Sequence, residues 1–196
     1  MKKQNNFKPM PKTSWRIYKK NKFVMNSMCA AFSVLALSFS YSANADVALP
    51  TGGAYVAGTG AIATTGNVMN INQNTQNGII NWGGFSIGSE NIVNINNGSG
   101  ATLNRVTGGY VSNINGLLNA TGSAYVINRN GIVVGNTGVI NTGGDAVLST
   151  QDISNNKFMA GETGAFSGSA TGNITNNGQV NAGGKAVFIG AGVSNI

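Results

Sequence analysis

Histidine is absent from the 196-residue sequence, and cysteine, proline and charged residues are scarce. Carboxylate-based catalysis needs two acids close together, or an acid with basic partners. No two of the five acids are spaced to share one strand face; they are Asp46, Glu90, Asp145, Asp152 and Glu162. The one cysteine, Cys29, lies in a segment that we expect to be removed, which leaves no thiol for a disulfide or a metal. These shortages predict that the chain is not an enzyme and has no cofactor or metal site.

The positive charge is confined to one end of the chain. Of the 12 basic residues, eight precede residue 23, and the formal net charge is +7. From residue 46 onward only four basic residues remain, namely Arg105, Arg129, Lys157 and Lys185, against all five acids. A nearly neutral body has no basic patch that could follow a phosphate backbone. We therefore expect no nucleic-acid partner.

The first 45 residues have the pattern of a long signal peptide. A basic region precedes an apolar run from Met28 to Phe39, and Ala43-Asn44-Ala45 stands before Asp46. A membrane-spanning helix needs about 20 apolar residues, and this run is shorter. The pattern predicts export by the Sec machinery with cleavage between Ala45 and Asp46, and a mature domain over residues 46–196.

The mature region is rich in glycine and asparagine. A unit of Gly, short apolar strand, Asn, small-residue turn and second apolar strand starts at Gly116, Gly138 and Gly178 without gaps, and more loosely at Gly78. The starts are 38, 22 and 40 residues apart, which we interpret as two, one and two units of about 20 residues. The same corner chemistry at the same phase predicts a coil that advances by one strand per turn. The expected fold is all-β, a parallel β-solenoid with roughly 20 residues per rung and about seven rungs.

Several details follow from this prediction. Asparagines are expected at corners, where they tolerate left-handed conformation and can stack their amides from rung to rung. An irregular N-terminal cap is expected between Pro50 and Gly66, because an open sheet edge needs cover. Segment 152–172 lacks the repeat and is expected to leave the coil as a small hairpin carrying Phe158, Met159 and Phe166. We expect Trp82 and Phe85 to be core or cap residues, and the domain to continue beyond residue 196 or to be a truncated product.

Four ordered motifs then resemble a known family: Ile80–Gly88, Leu103–Gly109, Tyr125–Gly135 and Leu148–Ser154. Together they are similar to the N-terminal secretion domain of two-partner-secretion exoproteins, the filamentous haemagglutinin and high-molecular-weight adhesin family. The resemblance implies a right-handed parallel β-helix that a dedicated outer-membrane β-barrel transporter recognises. It also implies a product that passes through the periplasm and is secreted or displayed on a Gram-negative cell surface.

The resemblance also indicates where recognition occurs. The family's Asn-Pro-Asn-Gly-Ile motif falls on Asn128–Ile132, with Arg129 in place of the proline that would fix φ in the turn. No counterpart of the family's Asn-Pro-Asn-Leu motif is present. The residues assigned to transporter recognition or to the motif turn are Asn104, Arg105, Thr107, Asn128, Arg129, Asn130, Gly131 and Ile132. Turn chemistry alone is an equal explanation for Asn128, Asn130 and Gly131. A corner with a surface charge is the alternative for Asn104, Arg105 and Thr107.

Two other functions stay open. The solenoid face could bind host glycan or matrix directly, although it lacks an aromatic or charged concentration, which favours host contact by regions downstream. The chain could also be a passenger fragment of a single-chain autotransporter.

Overall fold

The computed structural model describes residues 48–196, so the predicted signal peptide, Cys29 and the Ala45–Asp46 cleavage site lie outside the described residues. Within that range the chain is almost entirely β-structure. The elements are β1 (Ala54–Ala57), β2 (Gly60–Thr65), β3 (Val68–Gln73), β4 (Asn77–Trp82), β5 (Ile92–Asn96), β6 (Ala101–Val106), β7 (Ser112–Ile114), β8 (Leu117–Ala120), β9 (Ser123–Ile127), β10 (Ile132–Val134), β11 (Val139–Thr142), β12 (Ala146–Ser149), β13 (Asp152–Ile153), α1 (Asn155–Met159), β14 (Phe166–Ser167), β15 (Ile174–Asn176), β16 (Gln179–Ala182), β17 (Ala186–Ile189) and β18 (Val193–Asn195). No helix between residues 48 and 196 is long and apolar enough to span a membrane.

Most strands belong to three sheets, and from β5 onward each pass of the chain adds one strand to each of them. Sheet I has the order β2-β3-β5-β8-β11-β16, sheet II the order β1-β4-β6-β9-β12-β17, and sheet III the order β7-β10-β15-β18. Strands from successive passes are parallel: Val139 of β11, for example, pairs with Leu117 of β8 before it and Gln179 of β16 after it. The all-β prediction is therefore confirmed, and the stacked units starting at Gly116, Gly138 and Gly178 are in register.

The recurrent glycine has a steric reason. Gly116, Gly138 and Gly178 each stand at the corner that leads into a strand of sheet I. A Cβ at these positions would come within 2.1, 2.1 and 2.3 Å of a backbone carbonyl oxygen of the preceding pass. Only glycine lets the corners stack so closely.

The predicted repeat was wrong in two respects. The 40-residue step from Gly138 to Gly178 is one pass and not two, because β11 and β16 are neighbours. The looser copy at Gly78 lies within a strand of sheet II, where Gly78 pairs with Thr102. The other three copies begin at corners that lead into strands of sheet I. Sheets I and II each contain five successive parallel strands in the described range, so the expectation of about seven rungs is too high.

The N-terminal cap is more regular than expected. Strand β2 pairs with β3 in antiparallel fashion from Gly60↔Gln73 to Thr65↔Val68, and β1 pairs antiparallel with β4 through a bulge after Tyr55. The sheets are thus mixed. These two strands satisfy the backbone groups of the first parallel strands and cover the edge.

Inward side chains form the main core. One of its rows runs through sheet I as Met69, Val93, Leu118, Ile140 and Val180. Trp82 and Phe85 are both 1% exposed and meet edge to face with ring centroids 5.5 Å apart. Their predicted place in the core is confirmed.

Segment 152–172 leaves the coil, as predicted. Strands β13 and β14 form a small antiparallel pair, and α1 lies between them. The helix was not predicted. The segment covers outward apolar side chains of sheet II: buried Phe158 packs with Leu103, Val147 and Tyr125, its ring edge to face with that of Tyr125 at 5.2 Å. Met159 and Phe166 are partly buried in the same cluster.

Candidate functional site

The turn after β9 is closed by its own asparagine. The amide N–H of Gly131 donates to the carbonyl oxygen of Asn128 at 3.1 Å, and the amide N–H of Asn130 donates to Asn128 Oδ1 at 2.9 Å. Asn128 itself is fully buried. The motif that the sequence pattern indicated is therefore a compact turn fixed from inside.

The same asparagine joins this turn to the corner of the preceding pass. Asn128 Nδ2 donates to the Tyr110 carbonyl oxygen and to Ser112 Oγ, both at 2.9 Å. Asn130 Nδ2 donates to the Gly108 carbonyl oxygen at 2.8 Å. Residues 107–111 and 128–131 form one braced unit, which we call the double corner.

Glycine is required at the end of the turn. Gly131 has φ +120°, and a Cβ there would lie 3.0 Å from the Asn173 carbonyl oxygen. Asparagine tolerates left-handed conformation, but every positive φ in residues 48–196 belongs to glycine. Asn128 and Asn130 act here through hydrogen bonds of their side-chain amides, and their own backbones keep negative φ.

Arg129 and Arg105 have opposite environments. Arg129 occupies the proline position of the motif with an exposed side chain, and its carbonyl oxygen accepts a bond from Thr171 Oγ1 at 2.8 Å. The Arg105 side chain is only 14% exposed and forms a salt bridge from Nε to Asp152 Oδ1 at 2.9 Å. It also donates to the Ile153 carbonyl oxygen at 2.7 Å and to Asn155 Oδ1 at 2.8 Å. Arg105 thus fastens the 152–172 segment to sheet II, together with Asn77, whose Nδ2 donates to the Phe158 carbonyl oxygen at 3.2 Å, and the surface-charge alternative does not describe Arg105.

Asn104 and Thr107 also differ in their environments. Asn104 is buried in the core, where its Oδ1 accepts from Trp82 Nε1 at 3.1 Å and its Nδ2 donates to the Tyr125 carbonyl oxygen at 3.2 Å. Thr107 is exposed at the double corner and donates to the Trp82 carbonyl oxygen at 2.9 Å. Ile132 is buried and pairs with Ser112 in sheet III. Of the predicted residues, only Thr107, Arg129 and Asn130 combine exposure with a place at the double corner.

The double corner borders a groove and carries two residues that the sequence motifs did not include. The groove has a volume of 460 Å³, and Arg105, Thr107, Arg129, Asn130, Asp152 and Thr171 are among the residues that line it. Tyr110 is 84% exposed and Val111 is 40% exposed. The sequence signal for them was a pair of large apolar residues directly after Gly108-Gly109, just beyond the end of the motif Leu103–Gly109.

A second surface runs along the outer face of sheet I. It has a groove of 830 Å³ that no charged residue lines. One wall is a stack of asparagines in which each Nδ2 donates to the Oδ1 of the pass before it, at 2.9–3.1 Å, through Asn70, Asn94, Asn119, Asn141 and Asn181. We call this stack the amide ladder. The predicted stacking is confirmed, but its place is wrong, because the ladder stands within strands and not at corners.

Titratable chemistry is sparse between residues 48 and 196. No group of three or more His, Cys, Asp or Glu side chains in this range is placed to hold a metal ion. Burial raises the pKa of Tyr125, a hydrogen bond with Thr163 lowers it, and the charge of Asp145 raises it.

Comparison with known proteins places this geometry in a family. The heme/hemopexin-binding protein of Haemophilus influenzae strain Rd is 36% identical over 107 residues, which are 54% of this chain and 12% of that protein. A second heme/hemopexin-binding protein of Haemophilus influenzae is 35% identical over 92 residues, 46% of this chain and 10% of that protein. The crystal structure of the HMW1 secretion domain from Haemophilus influenzae superposes with a TM-score of 0.60 at 32% identity, over 67% of this chain and 36% of that one. The chain thus spans only about a tenth of the heme/hemopexin-binding proteins. The family model for the TPS secretion domain, where TPS stands for two-partner secretion, matches residues 43–195, and the chain belongs to this family.

Proposed function

We propose that residues 46–196 are the export signal of a larger exoprotein, and that a dedicated outer-membrane β-barrel transporter recognises them at the double corner. Membership of the TPS secretion domain family supports the first part. The observation that carries the second is the network of Asn128 and Asn130, which fixes two adjacent corners by two bonds of 2.9 Å from Asn128 and one of 2.8 Å from Asn130. A surface held this way loses little conformational entropy when a partner binds.

The predicted site residues divide into two roles under this proposal. Thr107, Arg129 and Asn130 present groups to the transporter. Asn128, Gly131 and Ile132 set the shape of the turn, and Asn104 and Arg105 support the sheet behind it. Motif turn and recognition surface are then two aspects of one unit.

The remaining parts of the route follow from the same interpretation. The fold is a right-handed parallel β-helix with an antiparallel cap. Residues 1–45 act as a signal peptide for the Sec machinery, with cleavage between Ala45 and Asp46. The domain crosses the periplasm at the front of a longer, non-enzymatic exoprotein that is secreted or displayed on a Gram-negative surface, with host contact by downstream regions.

Direct adhesion is a second candidate function, and the groove beside the amide ladder favours it. Amides can hydrogen-bond the hydroxyl groups of a neutral glycan, and the groove bears no charge to oppose one. Aromatic platforms are missing from its lining, so we rank adhesion below recognition by the transporter.

The test is secretion of the full chain from cells with and without its partner transporter. Wild-type protein should reach the medium only when the transporter is present. Asn130→Ala and Gly131→Val should reduce the secreted amount while the cells synthesise the protein normally. Secretion that is independent of any such transporter would show that the proposed function is wrong.

Two matched variants separate the site from general damage. Gly98 also has positive φ, at +59°, and a Cβ there would meet open space, so Gly98→Val imposes backbone strain at a remote corner. Asn136→Ala removes an exposed turn asparagine outside the double corner. Both should be secreted nearly as well as wild type, and a loss equal to that of the site variants would reduce the double corner to scaffold.

A further inference from the structure

We propose that Tyr110, Val111 and Arg129 form a protein-docking patch that fits an apolar recess flanked by a carboxylate on the transporter, and that this patch selects the cognate transporter. The inference rests on the proposed function and names the partner chemistry of the double corner. Residues Tyr110 and Val111 belong to none of the four family-like motifs of the sequence.

Exposure of apolar surface is the first argument. Five large hydrophobic side chains are exposed in residues 48–196, namely Val56, Tyr110, Val111, Val193 and Ile196. Only Tyr110 and Val111 are neighbours in sequence, and Tyr110 is 84% exposed. Tyrosine is among the residues that contribute most to binding energy at protein interfaces, because it combines a large apolar ring with a hydroxyl group.

Rigidity is the second argument. The carbonyl oxygen of Tyr110 accepts from Asn128 Nδ2, and the amide of Ser112, just beyond Val111, donates to the Gly131 carbonyl oxygen at 3.1 Å. The backbone carrying the exposed side chains is therefore fixed on both sides, although the segment lies between strands. An exposed tyrosine on a braced corner is ready to dock without first being ordered.

Charge is the third argument. The one salt bridge among the described residues joins Arg105 to Asp152. Arg129 lines the 460 Å³ groove beside this pair, is exposed, and forms no salt bridge of its own. Arginine binds a carboxylate through two parallel hydrogen bonds, and it is enriched at interface hot spots. The surface that fits is one that carries an aspartate or glutamate next to an apolar recess.

Secretion and binding of charge-reversal variants test the patch. The full chain is produced together with its transporter, and binding to the detergent-solubilised transporter is measured in parallel. Arg129→Glu and Tyr110→Ala should each lower binding and secretion about tenfold or more, and Arg129→Lys should lie between them and wild type. Lys185→Glu, the same charge change at an exposed position in another corner, should have no effect. All variants should keep the wild-type melting temperature, since the altered side chains are exposed.

Two further measurements identify the partner group. Binding of the wild type should weaken with added NaCl, and binding of Arg129→Met should depend on salt much less. Transporter mutations selected to restore secretion of Arg129→Glu should replace an acidic residue by lysine or arginine. If the restoring mutations never change an acidic residue, the proposal that Arg129 binds a carboxylate of the transporter is wrong.

The outcomes distinguish the two proposals. If wild-type secretion needs no transporter, the proposed function fails. If wild-type secretion needs the transporter but Arg129→Glu and Tyr110→Ala are secreted and bound like wild type, the docking patch alone is refuted.

Discussion

Asparagine has different roles in the amide ladder and in the double corner. In the amide ladder of sheet I, each asparagine repeats the same bond to the pass before it. In the double corner, Asn128 makes bonds of several kinds: to Tyr110 and Ser112 of one corner, and to Asn130 and Gly131 of its own turn. The residue type is the same, but one surface is periodic and the other is not.

The difference teaches where to look for a site in a repetitive fold. A periodic bond can be lost in one pass while the others remain, so it contributes in small, similar increments. The bonds of Asn128 converge on one buried amide, and removing it leaves several partners without a substitute. Buried amides that bind several partners, at Asn128 and also at Asn97, thus stand apart from the repeated bonds of the ladder.

The largest effect is expected from Asn128→Ala. Loss of the buried amide should lower the free energy of unfolding by about 2–4 kcal/mol, because its partners are left unsatisfied. Denaturant unfolding and secretion are measured together. The control is Asn104→Ala, which removes an equally buried side-chain amide away from the double corner. At similar stability loss Asn128→Ala should be secreted worse, and equal secretion would end the distinction between the two positions.

Arg105→Met should have the next largest effect. Removing the guanidinium deletes its bonds to Asp152, Ile153 and Asn155, so the 152–172 segment should loosen and become a site of proteolytic cleavage. Because the side chain is mostly buried, we expect a loss of about 1–2 kcal/mol in unfolding free energy. Limited proteolysis with mass spectrometry detects the cleavage. Arg129→Met is the matched control and should leave the segment as protected as in wild type; increased cleavage in both would contradict the assignment of Arg105.

The stacking of sheets I and II was predictable because it depends on local steric rules. Glycine corners at Gly116, Gly138 and Gly178 recur with the strands that they precede, so three copies aligned without any knowledge of the fold. Sheet III was not predictable. Its strands are three residues each, too short for a periodic pattern, and their pairing is set by the two longer sheets.

The roles of Asn104 and Arg105 could not be read from the sequence, because sheet II is apolar on both faces. Leu103 faces outward beneath the 152–172 segment, while Asn104 faces inward between Ile80 and Val126. Polar and apolar alternation therefore does not tell which way Leu103 and Asn104 face. The partner that decides the matter, Asp152, lies 47 residues further along the chain. The 128–131 turn was accessible to sequence reasoning because its bonds are local.

Within the amide ladder the effects should be smaller and graded. Asn119→Ala removes two ladder bonds at a half-buried position and should lower the unfolding free energy by about 1 kcal/mol. Asn181→Ala removes one bond at an exposed position and should lower it by less. Both should be secreted like wild type. A secretion defect in either variant, with the fold intact, would assign function to the periodic surface and weaken the comparison.

The smallest effect concerns pH and the tyrosine whose strand leads into the double corner. Burial raises the pKa of Tyr125, with a lowering by the Thr163 hydrogen bond and a further raising by Asp145. A raised pKa means that the folded chain holds the phenolic proton more tightly than the unfolded chain does. This contribution is fully present below about pH 10 and is lost as the pH rises through the folded-state pKa. Tyr125→Phe should therefore lose less stability than wild type on going to alkaline pH, measured by urea unfolding.

Two further measurements complete this test: the alkaline stability of a variant at a second tyrosine, and the position at which proteolysis begins at alkaline pH. Burial also raises the pKa of Tyr55, so part of the alkaline loss should persist in Tyr125→Phe and decrease further in the double variant with Tyr55→Phe. Because Tyr125 packs against Phe158 beneath the 152–172 segment, alkaline cleavage should begin in that segment. Cleavage that begins at residues 128–131 would show that the double corner is the weaker of the two structures.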